Sequence, residues 1–98
     1  LYNHFNPAVL RLVQRTISSA RENGIWAGMC GEMASDPNAA VLLMAMGISE
    51  LSMSAPSIPR VKEKIRSISS VKAKEILADV MAMEDGDDIR NYLQKILG

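Results

Sequence analysis

At 98 residues the chain holds one small domain at most; with 48% hydrophobic but 4% aromatic residues, its core must come from aliphatic side chains, alanine and seven methionines. Eleven basic residues balance eleven acidic ones, so no net field draws nucleic acid or an anionic membrane surface. A single cysteine excludes an internal disulfide framework and fits a reducing compartment, and the longest apolar run, Ala39 to Ile48, is too short to span a bilayer.

The opening Leu1-Tyr2-Asn3 carries no initiating methionine and no signal core, as expected of a piece cut from a longer protein. Asn6-Pro7 predicts a helix start, because asparagine can cap and proline suits the first helical position. Val9, Leu10, Val13 and Ile17 then recur at helical spacing, with Arg11, Gln14, Arg15 and Arg21 on other faces, until Gly24 ends the run. Residues 25–29 read as a strand, with Ile25-Trp26-Ala27 as its buried part. Ala34-Ser35-Asp36-Pro37 reads as a loop that leads into a second helix, which Gly47 closes. Val41, Leu42, Leu43, Met44 and Met46 make that helix apolar almost all round, so it demands cover on several sides. Residues 50–54 alternate like a strand, while 57–67 and 70–84 read as amphipathic helices, the second capped by Ser69 or Ser70. Gly86 breaks the chain, and Asp87 or Asp88 can cap a last helix ending at Leu97. Strands alternating with helices imply parallel pairing through right-handed crossovers. Two strands cannot bury both faces of a parallel sheet, so the pattern describes part of a larger sheet or barrel.

Chemistry concentrates in Gly28-Met29-Cys30-Gly31-Glu32. A strand ending in this motif sets its thiol at a carboxyl-terminal edge, where parallel α/β proteins keep their reactive groups, and flanking glycines let a ligand approach the backbone. The plain alternative is a small buried hydrophobe with no task.

Three blocks carry a resemblance: Tyr2 with Asn6-Pro7-Ala8-Val9-Leu10-Arg11-Leu12; Gly24 and Trp26 with Gly28-Met29-Cys30-Gly31-Glu32-Met33-Ala34 and Asp36; and Met46-Gly47-Ile48, Glu50-Leu51-Ser52-Met53-Ser54-Ala55 and Ser57-Ile58-Pro59-Arg60. In order, spacing and identity they closely resemble the carboxyl-terminal end of the Enzyme I family of the bacterial sugar phosphotransferase system. The resemblance implies an α/β fold, the C-terminal quarter of a (β/α)₈ TIM barrel, with residues 25–30 and 50–54 as its seventh and eighth strands. A whole barrel needs about 250 residues, so residues 1–98 would be one incomplete C-terminal fragment of the barrel domain. It further implies a cytoplasmic enzyme that moves the phosphoryl group of phosphoenolpyruvate (PEP) to its own histidine and on to the histidine-containing phosphocarrier protein. Mg²⁺ is its cofactor, and the barrel domain forms a homodimer.

By the same resemblance Cys30 is the acid that protonates C3 of the pyruvate enolate, with Gly28, Gly31 and Glu32 supporting its loop. An ordinary thiol, with a pKa of about 8.5, holds its proton at neutral pH as that role requires. Glu32 either orients the loop by accepting backbone hydrogen bonds or places charge near a helix start. Ser52, Ser54 and Ser57 border the substrate site or merely cap helices. His4 lacks the surroundings of the family's phosphorylated histidine and reads as a surface residue; with Cys30 it makes no metal site. Arg60, Lys62, Lys64, Arg66, Lys72 and Lys74, interleaved with Glu63 and Glu75, read as a solvated helix face, not a nucleic-acid patch. The family's phosphate-binding arginines and Mg²⁺ ligands would lie upstream of Leu1. The isolated chain is therefore expected to be inactive and, with two unpaired strand edges and its apolar helix, to associate into a dimer or larger oligomer. The competing readings are a fragment of a PEP synthase or pyruvate phosphate dikinase, and a non-catalytic helical interaction module.

Overall fold

The computed structural model describes residues 4–98, with Met29 and Cys30 described by their backbone alone. Leu1-Tyr2-Asn3, and with them the Tyr2 match, lie outside the described residues.

Asn6 starts the first helix as its sequence predicts: its side-chain oxygen accepts from the Ala8 amide at 2.9 Å, and Pro7 needs no acceptor at the first helical position. This helix, α1 (Pro7–Glu22), turns Leu10 and Ile17 into the core. Gly24, at φ 65°, closes it with paired bonds: its own amide to the Arg21 carbonyl and the Ile25 amide back to Ala20.

Ile25 therefore belongs to a helix terminus. It is 62% exposed and Trp26 66%, so the buried strand expected at 25–27 is not there. The strand β1 covers only Gly28–Cys30 and pairs in parallel with β2 (Glu50–Ser52), in the register Gly28 with Glu50, Met29 with Leu51 and Cys30 with Ser52. Among the described residues only these have a ladder partner, so both strands are shorter than the 25–29 and 50–54 expected from sequence.

Ala34 and Ser35, expected in a loop, instead belong with Glu32 and Met33 to a one-turn helix, α2 (Glu32–Ser35), whose Met33 and Ala34 are buried. Asp36 then caps α3 (Pro37–Met46), accepting from the Asn38 and Ala39 amides at 2.9 and 3.3 Å. Gly47, at φ 94°, ends α3 with the same paired closure as Gly24, its amide bonding to Met44 and that of Ile48 to Leu43.

After β2 a 3₁₀ turn (Ala55–Ser57) leads into α4 (Ile58–Arg66), followed by α5 (Ser70–Met81) and α6 (Gly86–Leu97). Ser69, one of the two candidates, caps α5 by accepting from the Lys72 amide at 3.1 Å. The cap of α6 is Asp85 and neither Asp87 nor Asp88: its carboxylate accepts from both their amides, at 2.7 and 3.3 Å. Gly86 is thus the first helical residue and not a break. Asp87 and Asp88 fall in the first turn, where negative charge meets the positive end of the helix.

All five other helices touch α3, which sits at the centre. Ala39, Ala40, Val41, Leu42, Leu43 and Met46 are buried there, against Leu10 and Ile17 of α1, Ile76 and Val80 of α5, and Ile89 and Leu93 of α6. The near-uniform apolarity of α3 follows directly from this position. The cover on several sides that its sequence demands comes from five helices, with α1 and α6 adding to what α2, α4 and α5 supply. The Cα radius of gyration, 12.6 Å, is that of a compactly packed chain of about 100 residues.

Candidate functional site

Cys30 ends β1 and Ser52, its register partner, ends β2, so the carboxyl ends of the two parallel strands lie side by side. The chain then leaves each strand in a different way. After β1, Gly31 takes φ 89°, an angle that side-chain-bearing residues rarely adopt, and α2 begins at once. Among the described residues, chain neighbours aside, no atom lies within 4 Å of where a Cβ on Gly31 would sit, so the backbone there is open to approach. Gly28 lies at the opposite end of β1. A Cβ on it would meet the Trp26 ring at 3.6 Å and the Glu50 carbonyl at 3.8 Å, which makes Gly28 part of the strand's packing and not of the cleft.

An open cleft of about 560 Å³ lies at the strand ends, within the usual range for small-molecule sites. Gly31, Glu32 and Ser35 form one wall; Ser52, Met53, Ser54 and Ser57 form the other. The structure thus brings together Gly31, Glu32 and the three serines singled out by sequence, beside the backbone of Cys30. The expectation of an exposed thiol concerns a side chain outside the described residues.

Glu32 opens α2 with an exposed carboxylate, an arrangement that puts charge near a helix start. The serines do not cap helices with their side chains. Instead Ser54 Oγ and Ser57 Oγ bond to each other at 3.0 Å, and Ser35 Oγ donates to the Gly31 carbonyl at 3.0 Å.

A second hollow shares Glu32 and Ser35 with the first and extends past Asp36 to Arg60 and Lys64. Its notable pair is His4 Nε2 with Asp36 Oδ2 at 2.9 Å. His4 is not a surface residue: its side chain is 14% exposed and its ring meets Phe5 edge-on at a centroid distance of 4.5 Å. Asp36 therefore works with both oxygens, one capping α3 and the other holding the segment before α1. Sequence marked Asp36 as a helix start but gave no sign of His4, because the pair is separated by 32 positions.

The basic residues Arg60, Lys62, Arg66, Lys72 and Lys74 are exposed, as a solvated face requires. Lys64 departs from that pattern: it is half-buried, and its Nζ donates to the Leu97 carbonyl, tying α4 to the end of α6. Among the described residues no three His, Cys, Asp or Glu side chains converge to hold a metal ion, and no helix is long and apolar enough to cross a membrane.

Residues 1–70 match the family described as PEP-utilising enzyme, PEP-binding domain. A phosphoenolpyruvate-protein phosphotransferase of Buchnera aphidicola subsp. Acyrthosiphon pisum is 41% identical over 97 residues, which are 99% of this chain and 17% of that relative. Proteins of the same name from Staphylococcus carnosus and Haemophilus influenzae are 47% identical over 95 residues and 48% over 79. These spans are 97% and 81% of this chain, and 17% and 14% of the relatives. The chain thus spans about a sixth of the length of the relatives it matches.

Proposed function

This chain belongs to the family of the PEP-binding domain of PEP-utilising enzymes, and from that premise we propose that it forms part of the substrate-facing end of a phosphoenolpyruvate-protein phosphotransferase. In this reading β1 and β2 are the last two strands of a (β/α)₈ barrel, and the serine-lined cleft borders the PEP site. The observation that carries the reading is the place of Cys30: the last residue of a parallel strand, in register with Ser52, directly before an open glycine backbone.

The reaction divides into two steps. The bond between phosphorus and the enol oxygen of PEP breaks as a histidine nitrogen takes the phosphoryl group, leaving the enolate of pyruvate. Cys30 then gives its thiol proton to C3: a C–H bond forms, the S–H bond breaks, and the thiolate regains a proton from water. A positioned acid of this kind contributes about 10²–10⁴-fold. The phosphohistidine passes its group to the histidine-containing phosphocarrier protein, in a cytoplasmic homodimer that serves sugar uptake. Mg²⁺, when bound, neutralises phosphoryl and enolate charge. By the family resemblance the residues that would hold it lie in other parts of the enzyme. With the phosphate-binding and metal-binding groups placed outside this chain by the same resemblance, our reading makes the 98-residue chain alone inactive.

The test places this sequence in a full-length relative, in exchange for the matching segment, and compares it with its Cys30→Ala variant. Pyruvate release should fall at least 100-fold. Normal release by the variant refutes the assignment.

A further inference from the structure

Ser57 carries a hydroxyl into the interior, only 7% exposed. Among the described residues its one side-chain hydrogen-bond partner is Ser54 Oγ, 3.0 Å away. Ser54 is exposed on the wall of the cleft and makes no helix cap. A buried hydroxyl that keeps its proton unpaired is penalised heavily, whereas an exposed one can turn to solvent or ligand. Either hydroxyl can donate in this bond by geometry alone; the asymmetry in burial favours Ser57 as donor and Ser54 as acceptor. With Ser54 accepting, its own proton is not used by Ser57 and is available to a ligand in the cleft that Ser54 lines. The neighbouring Ser35 offers no comparable donor, since its proton already goes to the Gly31 carbonyl.

We infer that Ser54 is a substrate-contacting hydrogen-bond donor, held in its donating orientation by Ser57, and that it takes a carboxylate or enolate oxygen of the bound three-carbon acid. The inference rests on the reading of this cleft as the border of the PEP site. Acceptance from Ser57 also polarises the Ser54 hydroxyl and strengthens the bond it gives. Charge neutralisation is not its task. The exposed carboxylate of Glu32 lines the same cleft, so the anion's charge must be met by cations elsewhere, and Ser54 fixes its orientation.

Oxalate serves as the probe, because its two adjacent planar carbons carry oxygens in the arrangement of enolpyruvate. Its dissociation constant is measured calorimetrically on the full-length exchange protein in the presence of Mg²⁺. Ser54→Ala should weaken oxalate about tenfold, the loss expected for one hydrogen bond to a charged group. Ser57→Ala should weaken it about threefold by freeing the Ser54 rotor, and the double variant should be no worse than Ser54→Ala. Ser54→Thr, which keeps the hydroxyl, should bind normally. A Ser54→Ala protein that binds oxalate within twofold of the starting protein overturns the inference, as do Ser54 and Ser57 effects that simply multiply. Ser54 is exposed, so its variants remain informative even if Ser57→Ala fails to fold. Oxalate accepts no proton at carbon, so its affinity for Ser54→Ala is read without any turnover that needs Cys30. Failure of the Cys30 reading, seen in pyruvate release, is thus separable from failure of this one.

Discussion

Replacing Asp36 by alanine should be among the most damaging changes at any half-exposed position of this chain. One carboxylate oxygen accepts from the Asn38 and Ala39 amides and the other pairs with His4, whose ring packs on the buried Phe5. Loss of an N-cap costs about 1 kcal/mol, and loss of negative charge at the start of α3 about 0.5 kcal/mol. The His4 pair adds about 0.5 kcal/mol; its side chains are 14% and 29% exposed, so solvent screening holds it near surface-pair values. The total, about 2 kcal/mol, corresponds to a melting point lower by roughly 8–16 °C in a domain of this size. Asp36→Asn keeps a capping oxygen while losing the charge, and should cost about half as much. In urea titrations followed by far-ultraviolet circular dichroism, a cycle of His4→Ala, Asp36→Ala and the double variant should return a coupling of about 0.5 kcal/mol. If Asp36→Ala shifts the midpoint no more than His4→Ala does, the capping role is refuted. Strict additivity refutes the pair.

Tyr92 donates to Asp79 Oδ2 at 2.6 Å, and this bond, then burial and the nearby Asp79 charge, push its pKa up to about 12. The unfolded phenol titrates near 10, so this stabilisation is complete below pH 10 and is lost as pH rises through about 12. Tyr92→Phe should cost about 1 kcal/mol at pH 8, and the gap between the two proteins should shrink by pH 11; a constant gap across that range refutes the linkage. Gly47→Ala should destabilise by about 1–2 kcal/mol through its left-handed backbone and should also displace the Arg21 side chain packed against it. Gly24→Ala, also left-handed but with open space around it, should cost about 1 kcal/mol, and thermal melts that rank the two in reverse order refute the argument.

Local chemistry was legible where a residue acts on its own neighbours. Asn6, Asp36 and Ser69 cap helices, and Gly24 and Gly47 close them, because those interactions span two to five positions. The apolar circumference of α3 announced its central place. Reading failed where a distant partner decides. Ile25 and Trp26 look like strand core by composition, yet the ladder begins only at Gly28, where Glu50 stands opposite. His4 joins Asp36, and Lys64 joins Leu97, across more than 30 positions with no periodic signal. At the strand ends, sequence named Gly31, Glu32 and the serines of the cleft, and of the two alternatives for those serines the mutual bond of Ser54 and Ser57 stands where side-chain caps would have been.

The central place of α3 bears on how the molecule comes apart. Its cover is drawn from both directions along the chain: α1 and α2 precede it, while α4, α5 and α6 follow. No stretch of sequence that includes α3 can bury it before helices from both sides have docked. Release of either flank removes part of the cover of α3, whose Leu42 and Leu43 are fully buried in the intact protein. The helices are thus coupled through one element, and opening should proceed as a single event without a half-folded stage. Amide protection should then be similar in α1 and α6, at opposite ends of the sequence.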